Sequence, residues 1–420
     1  MLDIKFIRQN PEKVKEGAKK KGVEVDVDKI LDIDKQKREG MQALEDMRAK
    51  KNKASKRIVA AKDEKERDVI IMEMKELDAN NDKLEEKVKT LKEKLDWLMM
   101  RIPNLPLETV PVGKDDKENV VIETIGNKTE FDFIPKDYME LGESLDLIDV
   151  KRAAKVSGSR FGFLKGELVL LEFALVNFVF DKLVKNGFVP IIPPIMLKPE
   201  IALGMGYLEQ KDEKEAYYLS KDDLYLAGTS EQSLGGMHAG DIFEAKELPK
   251  RYVGFSTCFR REAGSYGKDT KGILRVHQFD KLEMFSFTKP EDSEKEHKFL
   301  LKMEKELMKE LKIPFQVVHI ASGDLGVPVA EKYDIEAWIP LENKYRETHS
   351  TSNCTDFQAR RLNIRYKEKD GKINFVHTLN GTAFAIGRIL IAIIENYQQK
   401  DGSIQVPKAL QQYLDFKVIK

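Results

Sequence analysis

Two long runs of apolar residues, spaced three and four apart, constrain the first quarter of the chain most strongly. The first run extends from Ile30 to Ala61, with seven of ten positions apolar, and the second from Ile70 to Ile102, with nine of ten. This spacing places the apolar residues along one stripe of an α-helix. The charged stretch DEKERD, at 63–68, separates the runs. The sequence therefore predicts an antiparallel helical hairpin over residues 30–102, roughly 50 Å long at 1.5 Å per residue.

The outer half of the first predicted helix carries an excess of positive charge. Residues 48–62, RAKKNKASKRIVAAK, contain seven Lys or Arg and no Asp or Glu. A projecting arm with this charge could bind a phosphate backbone. Equally, the hairpin could be a dimerisation or spacer element, and the basic run an ordinary solvated face. These residues leave both interpretations open.

Charge balance and cysteine content limit the classes of protein to which this chain can belong. The 420 residues include 72 Lys+Arg and 72 Asp+Glu, so any polyanion site must be a local patch. The two cysteines, Cys258 and Cys354, lie far apart without metal-site spacing, which suits a reducing compartment and argues against zinc. No signal peptide is recognisable, and the longest apolar run, ILIAII, is too short to span a membrane. We expect a soluble, cytoplasmic protein.

The chain changes character after the hairpin. Residues 101–119 contain three prolines and suit an extended connection. Further on, short strands follow one another without intervening helices, which favours an antiparallel sheet over a parallel, wound one. The prediction is an α+β protein with an N-terminal domain over residues 1–110 and a second domain over 111–420.

A predicted β-hairpin at 258–283, CFRREAGSYGKDTKGILRVHQFDKLE, concentrates six Lys or Arg and four Asp or Glu. Alternate residues of a strand share a face. On the first strand, small residues lead to Arg260 and Glu262 on one face, leaving room for a ligand. The return strand places one set of residues on a shared face: Arg275, His277, Phe279, Lys281 and Glu283. Guanidinium groups bind phosphate, an aromatic ring stacks on a base, and a carboxylate holds an amine or a metal. A surface hairpin with cross-strand ion pairs is the alternative.

A second unusual arginine lies near the C-terminus. Arg388 is the only formally charged residue in 373–394, INFVHTLNGTAFAIGRILIAII. The Asn-Gly pair predicts a turn, with a helix starting near Thr382. A guanidinium in such an apolar helix needs an anion, either a protein carboxylate or a nucleotide phosphate.

Two further segments offer weaker signals. YRETHSTSN, at 345–353, places Glu347 near hydroxyl groups, a set that suits Mg²⁺ shared with phosphate oxygens. GTSEQSLGG, at 228–236, adds hydroxyls and a carboxylate after a predicted strand. His277 and His349 are expected to be structural rather than catalytic.

A long apolar helix is also predicted in ELVLLEFALVNFVFDKLVKNGF, followed by the proline-rich segment VPIIPPIML. Together with the two arginine segments, this feature resembles motifs 1, 2 and 3 of class II aminoacyl-tRNA synthetases. The segments FRREAGSYGKDTKGILRVHQFDKLE, DFQARRLNIRY and HTLNGTAFAIGRILIAIIENYQQKDGSIQVPKAL, with the N-terminal hairpin, look like the seryl-tRNA synthetase family. The resemblance runs over nearly the whole chain. It implies an antiparallel-sheet class II catalytic domain with flanking helices, plus an N-terminal coiled-coil arm that binds tRNA.

The resemblance also implies roles for particular residues. Arg260 would contact the α-phosphate of ATP and Arg388 the γ-phosphate, with Glu262 near the adenine amino group; these three are the implied catalytic residues. The remaining implied ATP contacts are Arg261, Val276, Phe279, Glu347, Thr348, His349 and Ser350. Glu347 and Ser350 would also hold Mg²⁺. The implied serine pocket comprises Thr229, Ser230, Glu231, Arg260, Glu283, Asn380 and Thr382. The implied tRNA contacts are Arg48, Lys50, Lys51, Lys53, Lys56 and Arg57.

The implied reaction is activation of L-serine by ATP to seryl-adenylate, followed by transfer to the 3′ end of tRNA(Ser) and, we expect, tRNA(Sec). The implied cofactors are ATP and Mg²⁺ without zinc, and the implied assembly is a homodimer. The chain departs from the family pattern over residues 230–240, where Ser230 replaces an alanine and GGMHAG is unusual. Two alternatives are a ligase that loads a carrier protein and a non-catalytic coiled-coil regulator that senses nucleotide or tRNA.

Overall fold

The computed structural model describes residues 1–61, 63–208, 215–263 and 272–420. At Glu66 it describes the backbone but not the side chain. Lys62 of the basic run and most of the glycine loop of the charged hairpin lie outside the described residues. The chain divides into two compact units, Met1–Pro103 and Asn104–Lys420. The division falls somewhat before residue 110, and Asn104 already hydrogen-bonds within the second unit, its backbone N–H lying 2.9 Å from the Val327 carbonyl oxygen.

The helices and strands are numbered here in chain order. The helices are α1 Ile4–Gln9, α2 Pro11–Lys20, α3 Val27–Ala60, α4 Glu64–Met100, α5 Tyr138–Ser144, α6 Val150–Ser157, α7 Glu167–Lys185, α8 Pro199–Met205, α9 Ser230–Gly236, α10 Ser293–Leu311, α11 Phe357–Leu362 and α12 Ile386–Asn396. The strands are β1 Val120–Ile125, β2 Ile148–Asp149, β3 Phe163–Leu164, β4 Val189–Ile191, β5 Met196–Leu197, β6 Tyr217–Leu219, β7 Leu224–Leu226, β8 Ile242–Glu244, β9 Lys250–Phe259, β10 Gln278–Thr288, β11 Phe315–His319, β12 Glu331–Ile339, β13 Lys344–Asn353, β14 Arg365–Lys367, β15 Ile373–Phe375, β16 His377–Ala385, β17 Ile404–Gln405 and β18 Val418–Ile419.

The first unit is built around the hairpin of α3 and α4, so the predicted helical hairpin is confirmed. Asp26 caps α3 and Asp63 caps α4, because each side chain accepts a backbone N–H of the first turn. Apolar seam residues such as Ile30 and Leu95 are buried between helices. Gly40 marks the closest approach, since a Cβ there would lie 2.7 Å from Cγ2 of Val88. A larger residue at position 40 would push the two helices apart.

The second unit contains an eight-stranded sheet in the order β1-β11-β12-β13-β16-β10-β9-β4. All neighbouring pairs are antiparallel except β4 with β9, so the predicted antiparallel sheet is confirmed. One face packs on α7, α10 and α12 to form the main hydrophobic core. The opposite face, where Lys281 and Glu283 project from β10, lines a cleft.

The predicted Asn-Gly turn at 380–381 is wrong. Both residues lie inside β16, which pairs with β10 on one side and β13 on the other, and α12 begins at Ile386 rather than near Thr382. The glycine meets a packing requirement instead. A Cβ at Gly381 would lie 3.0 Å from Oε1 of Glu304 and 3.1 Å from Cε of Met284. The ladders on both sides of the strand override the local turn preference of Asn-Gly.

The small residues of β9 do not leave the ligand space that the sequence suggested. A Cβ at Gly254 would lie 3.0 Å from Leu234 and 3.1 Å from Cβ of Ser230, both on α9. Oγ of Ser256 lies 3.1 Å from Oγ of Ser230. Small side chains there let α9 pack directly on the sheet, and the cleft opens only beyond them, at Arg260.

Candidate active site

The cleft above the sheet has a volume of about 820 Å³ and brings together most of the predicted site residues. Predicted residues that line it are Thr229, Glu231, Arg260, Glu262, Val276, Phe279, Glu283, Glu347, Thr348, Ser350, Asn380, Thr382 and Arg388. Residues separated by more than 150 positions in sequence therefore face one space. Ser230, Arg261 and His349 are not among the lining residues.

These three predicted residues have other surroundings. Ser230 points into the packing between α9 and β9, as described above. Nε of Arg261 donates to the Ala216 carbonyl oxygen at 3.0 Å, and its guanidinium lies over the ring of Tyr217. His349 is buried, its ring packs edge-on against Phe384, and burial lowers its pKa to about 3. The neutral imidazole agrees with the structural role expected for this histidine.

Two arginines form the cationic side of the cleft. Nε of Arg260 donates to the Gly228 carbonyl oxygen at 3.0 Å, and its guanidinium lies 5.4 Å from the centre of the Phe279 ring. The two terminal nitrogens of Arg260 have no hydrogen-bond partner within the part of the chain that the structure describes. Arg388 projects from the first turn of α12 toward Glu347. Both guanidinium groups can therefore bind an anion in the cleft.

Glu347 is an ionised carboxylate at the edge of this cationic side. Nη1 of Arg388 lies 3.3 Å from its Oε2, and the side chain of Glu347 remains 45 % exposed. Burial would raise the pKa of Glu347, but the positive charges of Arg388 and Lys332 outweigh it and bring that pKa down to about 2. A carboxylate that stays charged and partly open to the cleft, beside the hydroxyl of Ser350, suits a hard cation shared with phosphate oxygens.

A buried cluster of opposite charges forms the floor on the other side. Nζ of Lys281 donates to Glu283 and, at 3.2 Å, to Oγ1 of Thr229. The hydroxyl of Thr382 donates to Oε2 of Glu283 at 3.4 Å. Lys281 and Glu283 are both buried, so each compensates the charge of the other.

Glu231 extends the floor from the first turn of α9. Thr229 caps that helix by accepting the backbone N–H of Glu231 at 3.3 Å. Burial and the nearby Glu283 raise the pKa of Glu231 to about 7, although hydrogen bonds from Tyr207 and Gln358 and the charge of Lys281 act to lower it. Two carboxylates and one ammonium group thus line a small polar compartment that can accept a zwitterion.

Glu262 occupies a strained position at the mouth of the cleft. Its φ is +50°, in the left-handed region, and its carbonyl oxygen accepts from Nη1 of Arg160 at 2.7 Å. Its Oε2 lies 3.5 Å from Nη1 of Arg275. These contacts from two arginines hold Glu262 shortly after the end of β9.

The prediction of site residues missed several that the structure brings to the cleft. Lys281 has a sequence signal, because it alternates with Phe279 and Glu283 on one strand face. Tyr207 lies directly after α8, and Lys332 lies on β12; both line the cleft. Gln358, on α11, reaches the site through a hydrogen bond to Glu231. The approach of Tyr207, Lys332 and Gln358 to the site depends on long-range packing.

The six basic residues predicted to contact tRNA lie on α3 and fall into two groups. Three form ion pairs with acidic residues of α4, namely Arg48 with Glu85 (3.5 Å), Lys51 with Asp78 (2.6 Å) and Arg57 with Glu73 (3.8 Å). The other three, Lys50, Lys53 and Lys56, are exposed and have no ion pair among the described side chains. The hairpin therefore neutralises half of the predicted patch internally.

Within the described ranges, no group of three or more His, Cys, Asp or Glu side chains could hold a metal ion by itself. Both cysteines are buried thiols. Over the same residues, none of the helices combines the length and apolar character needed to cross a membrane.

Two family models match the chain. Residues 1–106 match the seryl-tRNA synthetase N-terminal domain, and residues 216–397 match the tRNA synthetase class II core domain (G, H, P, S and T). The chain is 46 % identical over 420 residues to the serine–tRNA ligase of Thermobifida fusca, covering 100 % of this chain and 99 % of that protein. It is also 46 % identical to the serine–tRNA ligase of Rhodococcus jostii, with all of both chains covered.

Two solved structures share the fold over the full length. The seryl-tRNA synthetase of Pyrococcus horikoshii complexed with ATP superposes with a TM-score of 0.94 at 43 % identity, covering 100 % of this chain and 99 % of that one. The cytoplasmic serine–tRNA ligase of Naegleria fowleri in complex with AMP gives a TM-score of 0.88 at 34 % identity, with the same coverage. Both relatives were solved with an adenine nucleotide.

Proposed function

The chain belongs to the seryl-tRNA synthetase family, and from that premise we propose that its cleft activates L-serine with ATP and passes the seryl group to tRNA. It acts as an ATP-dependent serine–tRNA ligase. One observation carries this function best: groups suited to phosphate and groups suited to a zwitterion line a single cleft of about 820 Å³. A site for phosphate alone would not need the groups suited to a zwitterion, and a site for a zwitterion alone would not need the groups suited to phosphate.

The ATP side is formed by Arg260, Glu262, Phe279 and Arg388. The terminal nitrogens of Arg260 bind the α-phosphate, and Arg388 binds the γ-phosphate. Phe279, with Val276 beside it in the cleft wall, stacks on adenine. Glu262 accepts a hydrogen bond from the adenine amino group. Arg261 and His349 support the ATP side indirectly, as the chain neighbours of Arg260 and Thr348. The side chain of Arg261 bonds to the Ala216 carbonyl oxygen, and that of His349 to the hydroxyl of Thr348.

Mg²⁺ is the metal that accompanies ATP in this proposal. Glu347 and Ser350 would hold it together with phosphate oxygens, since the carboxylate is ionised and partly exposed in the cleft. When bound, the ion neutralises phosphate charge. Zinc has no role in the proposed chemistry.

The serine side is formed by the polar floor. Glu231 binds the ammonium group of serine, and Glu283 with Thr382 and Asn380 binds its hydroxyl and backbone polar groups. Thr229 and Ser230 act by holding the first turn of α9 in place. A site whose buried polar groups pair with a hydroxyl rejects alanine strongly, because those groups would otherwise stay unpaired.

The reaction then needs no covalent enzyme intermediate. A carboxylate oxygen of serine attacks the α-phosphorus, and a new P–O bond forms as the bond to the pyrophosphate oxygen breaks. In the second step the 3′-terminal ribose hydroxyl attacks the seryl carbonyl, AMP leaves with the electron pair, and the hydroxyl proton passes to solvent. The protein contributes positioning and charge neutralisation by Arg260 and Arg388.

The N-terminal unit binds tRNA(Ser), and also tRNA(Sec), through the basic face of α3. Lys50, Lys53 and Lys56 support this role best, because the structure leaves them exposed and without ion pairs among the described side chains. Contacts of this kind follow shape and backbone rather than base identity.

We place the protein in the cytoplasm as a homodimer. The two buried cysteine thiols fit a reducing compartment. Apolar side chains left exposed on α7 and after β4 support self-association: Leu170 is 52 % exposed, Phe173 54 % and Ile192 82 %. Sedimentation of the isolated protein tests the dimer, and substitution of Leu170 and Phe173 by serine should shift it toward monomer.

Charging assays separate this function from its two alternatives. Purified protein should esterify a tRNA(Ser) transcript with labelled serine, and periodate oxidation of the terminal ribose should abolish labelling. Label on a carrier protein but not on tRNA would instead favour the carrier-loading ligase. A lack of label on either acceptor, with ATP binding retained, would favour the regulator.

A further inference from the structure

The carboxylate of Glu231 is held by three hydrogen-bond donors from three separate elements. The hydroxyl of Tyr207, after α8, donates to Oε2. Nε2 of Gln358, on α11, and Nδ2 of Asn380, on β16, each donate to Oε1 at 3.0 Å. Glu231, Gln358 and Asn380 are all buried. A single carboxylate therefore joins the three segments that surround the polar floor.

The geometry of Gln358 allows only one orientation of its amide. The amide nitrogen lies near Oε1 of Glu231 and 3.2 Å from the Met205 carbonyl oxygen, and both of these atoms can only accept. The amide oxygen accepts from the hydroxyl of Thr378 at 2.6 Å. The Met205 carbonyl oxygen thus fixes the amide so that its donor faces Glu231, although Gln358 does not line the cleft.

Tyr207 is constrained in the same way. Burial, followed by the negative charge of Glu231, raises the pKa of Tyr207 well above its usual value, so the hydroxyl keeps its proton and donates a hydrogen bond to the carboxylate. Unlike Gln358, Tyr207 also lines the cleft. Tyr207 therefore borders the cleft, while its hydroxyl donates a hydrogen bond to Glu231.

The charged and titratable groups around Glu231 have opposite effects on the ionisation of its carboxyl group. Glu283 on β10 disfavours its ionisation, and Lys281 on the same strand favours it. Tyr207 keeps its proton, and the buried thiol of Cys354 lies 3.9 Å from Nδ2 of Asn380. Without its hydrogen-bond donors, a buried carboxyl beside a second carboxylate would keep its proton near neutral pH.

We propose that Tyr207 and Gln358 are positioning residues for serine recognition, which favour the ionised form of Glu231 and orient it so that its remaining lone pairs meet the ammonium group of the substrate. This inference rests on the proposed role of Glu231. A protonated Glu231 cannot form an ion pair with an ammonium group, so the two residues extend the pH range over which serine binds.

The test is the pH dependence of kcat/KM for serine in amino-acid-dependent ATP–pyrophosphate exchange, measured for the full chain and for Tyr207→Phe. A hydrogen bond to a charged group is strong enough to move a pKa by about one unit. We expect the acid limb of the variant to move up by about one pH unit. The ratio of variant to wild type should be lowest below pH 7 and return toward one by pH 9, with KM for ATP unchanged. The ionisation of serine itself cancels in this ratio.

A matched control removes a hydroxyl with the same chemistry elsewhere. The hydroxyl of Tyr413 donates to Oδ2 of Asp181 at 2.7 Å, outside the cleft, so Tyr413→Phe should leave the profile unchanged. Gln358→Met provides a second variant should Tyr207→Phe fold poorly, and it should move the acid limb in the same direction.

Glu231→Gln distinguishes failure of this inference from failure of the proposed function. If Glu231→Gln leaves kcat/KM for serine intact, the assignment of Glu231 to the substrate is wrong. If Glu231→Gln abolishes exchange while Tyr207→Phe and Gln358→Met show no loss, or a loss equal at every pH, the positioning role is overturned.

Discussion

The guanidinium group of Arg388 lies against Glu347 through two contacts: its Nη1 is 2.8 Å from the backbone oxygen of Glu347 and 3.3 Å from Oε2 of the side chain. The first turn of α12 is thereby tied to β13 across the cleft. The pairing explains how an arginine in an otherwise apolar helix is tolerated. It also holds a cation and an ionised carboxylate side by side where the proposed triphosphate binds.

Arg388→Ala should reduce kcat/KM for ATP in the exchange reaction by at least about 10²-fold, because a donor aimed at developing charge is lost. Arg388→Lys should recover only part of that loss, since lysine keeps the charge without the planar fork. Arg38→Ala is the control, as Arg38 pairs with Asp34 in the first unit. Activity of Arg388→Ala within a few-fold of wild type would contradict the phosphate role.

Lys281→Met should destabilise the protein and weaken serine binding together. Loss of one partner of a buried ion pair costs roughly 3–5 kcal/mol, because Glu283 would be left uncompensated. The double variant Lys281→Met/Glu283→Gln should regain much of the stability without regaining serine affinity. Chemical denaturation and calorimetric serine titration measure the two effects. Equal stability of the single and double variants would show that the pair does not compensate as described.

The carboxyl group of Glu304, on α10, should make the free energy of unfolding decrease as pH rises. It is fully buried, and neither carboxyl oxygen has a hydrogen-bond partner within the described residues. Burial and the charges of Glu283 and Asp334 raise its pKa well above the usual value. The folded protein then retains a proton that the unfolded chain loses above about pH 4.3, so stability falls as pH increases beyond that point.

Glu304→Met should therefore stabilise the protein by about 1–3 kcal/mol at pH 8, with a smaller gain at pH 5. Glu294→Met is the matched control on the same helix, because Glu294 is exposed and pairs with Lys298. Melting temperatures at both pH values provide the measurement. A gain that does not grow with pH would mean that Glu304 is already paired or ionised in the folded state.

Two triple variants of α3 test which basic residues contact tRNA. Replacement of Lys50, Lys53 and Lys56 by serine should weaken tRNA binding more than replacement of Arg48, Lys51 and Arg57, although each set removes three positive charges. The second set already pairs with α4. The first variant should also show the shallower dependence of affinity on salt.

Both triple variants should leave serine-dependent pyrophosphate exchange at the wild-type rate, because the proposed chemistry lies in the second unit. Filter binding of labelled tRNA(Ser) at several salt concentrations gives the affinities. Equal loss of exchange and of tRNA charging would contradict this division of labour.

The parts of the fold that follow from local pattern were predictable. Regular apolar spacing predicted α3 and α4, and alternation placed Phe279 and Glu283 on one face of β10. The turn at Asn380 was mispredicted, because a strand paired on both sides overrides a local preference. Tyr207 and Gln358 were not predicted as site residues, since only the folding of distant segments brings them to Glu231.

The most direct test of the proposed function is ATP–pyrophosphate exchange with each of the twenty standard amino acids in turn. We expect exchange with serine, far weaker exchange with threonine, and none above background with alanine. Exchange with a different amino acid would mean that the polar floor around Glu231 and Glu283 recognises another side chain. A lack of exchange with every amino acid, in protein that still binds ATP, would contradict the central claim that this cleft activates serine.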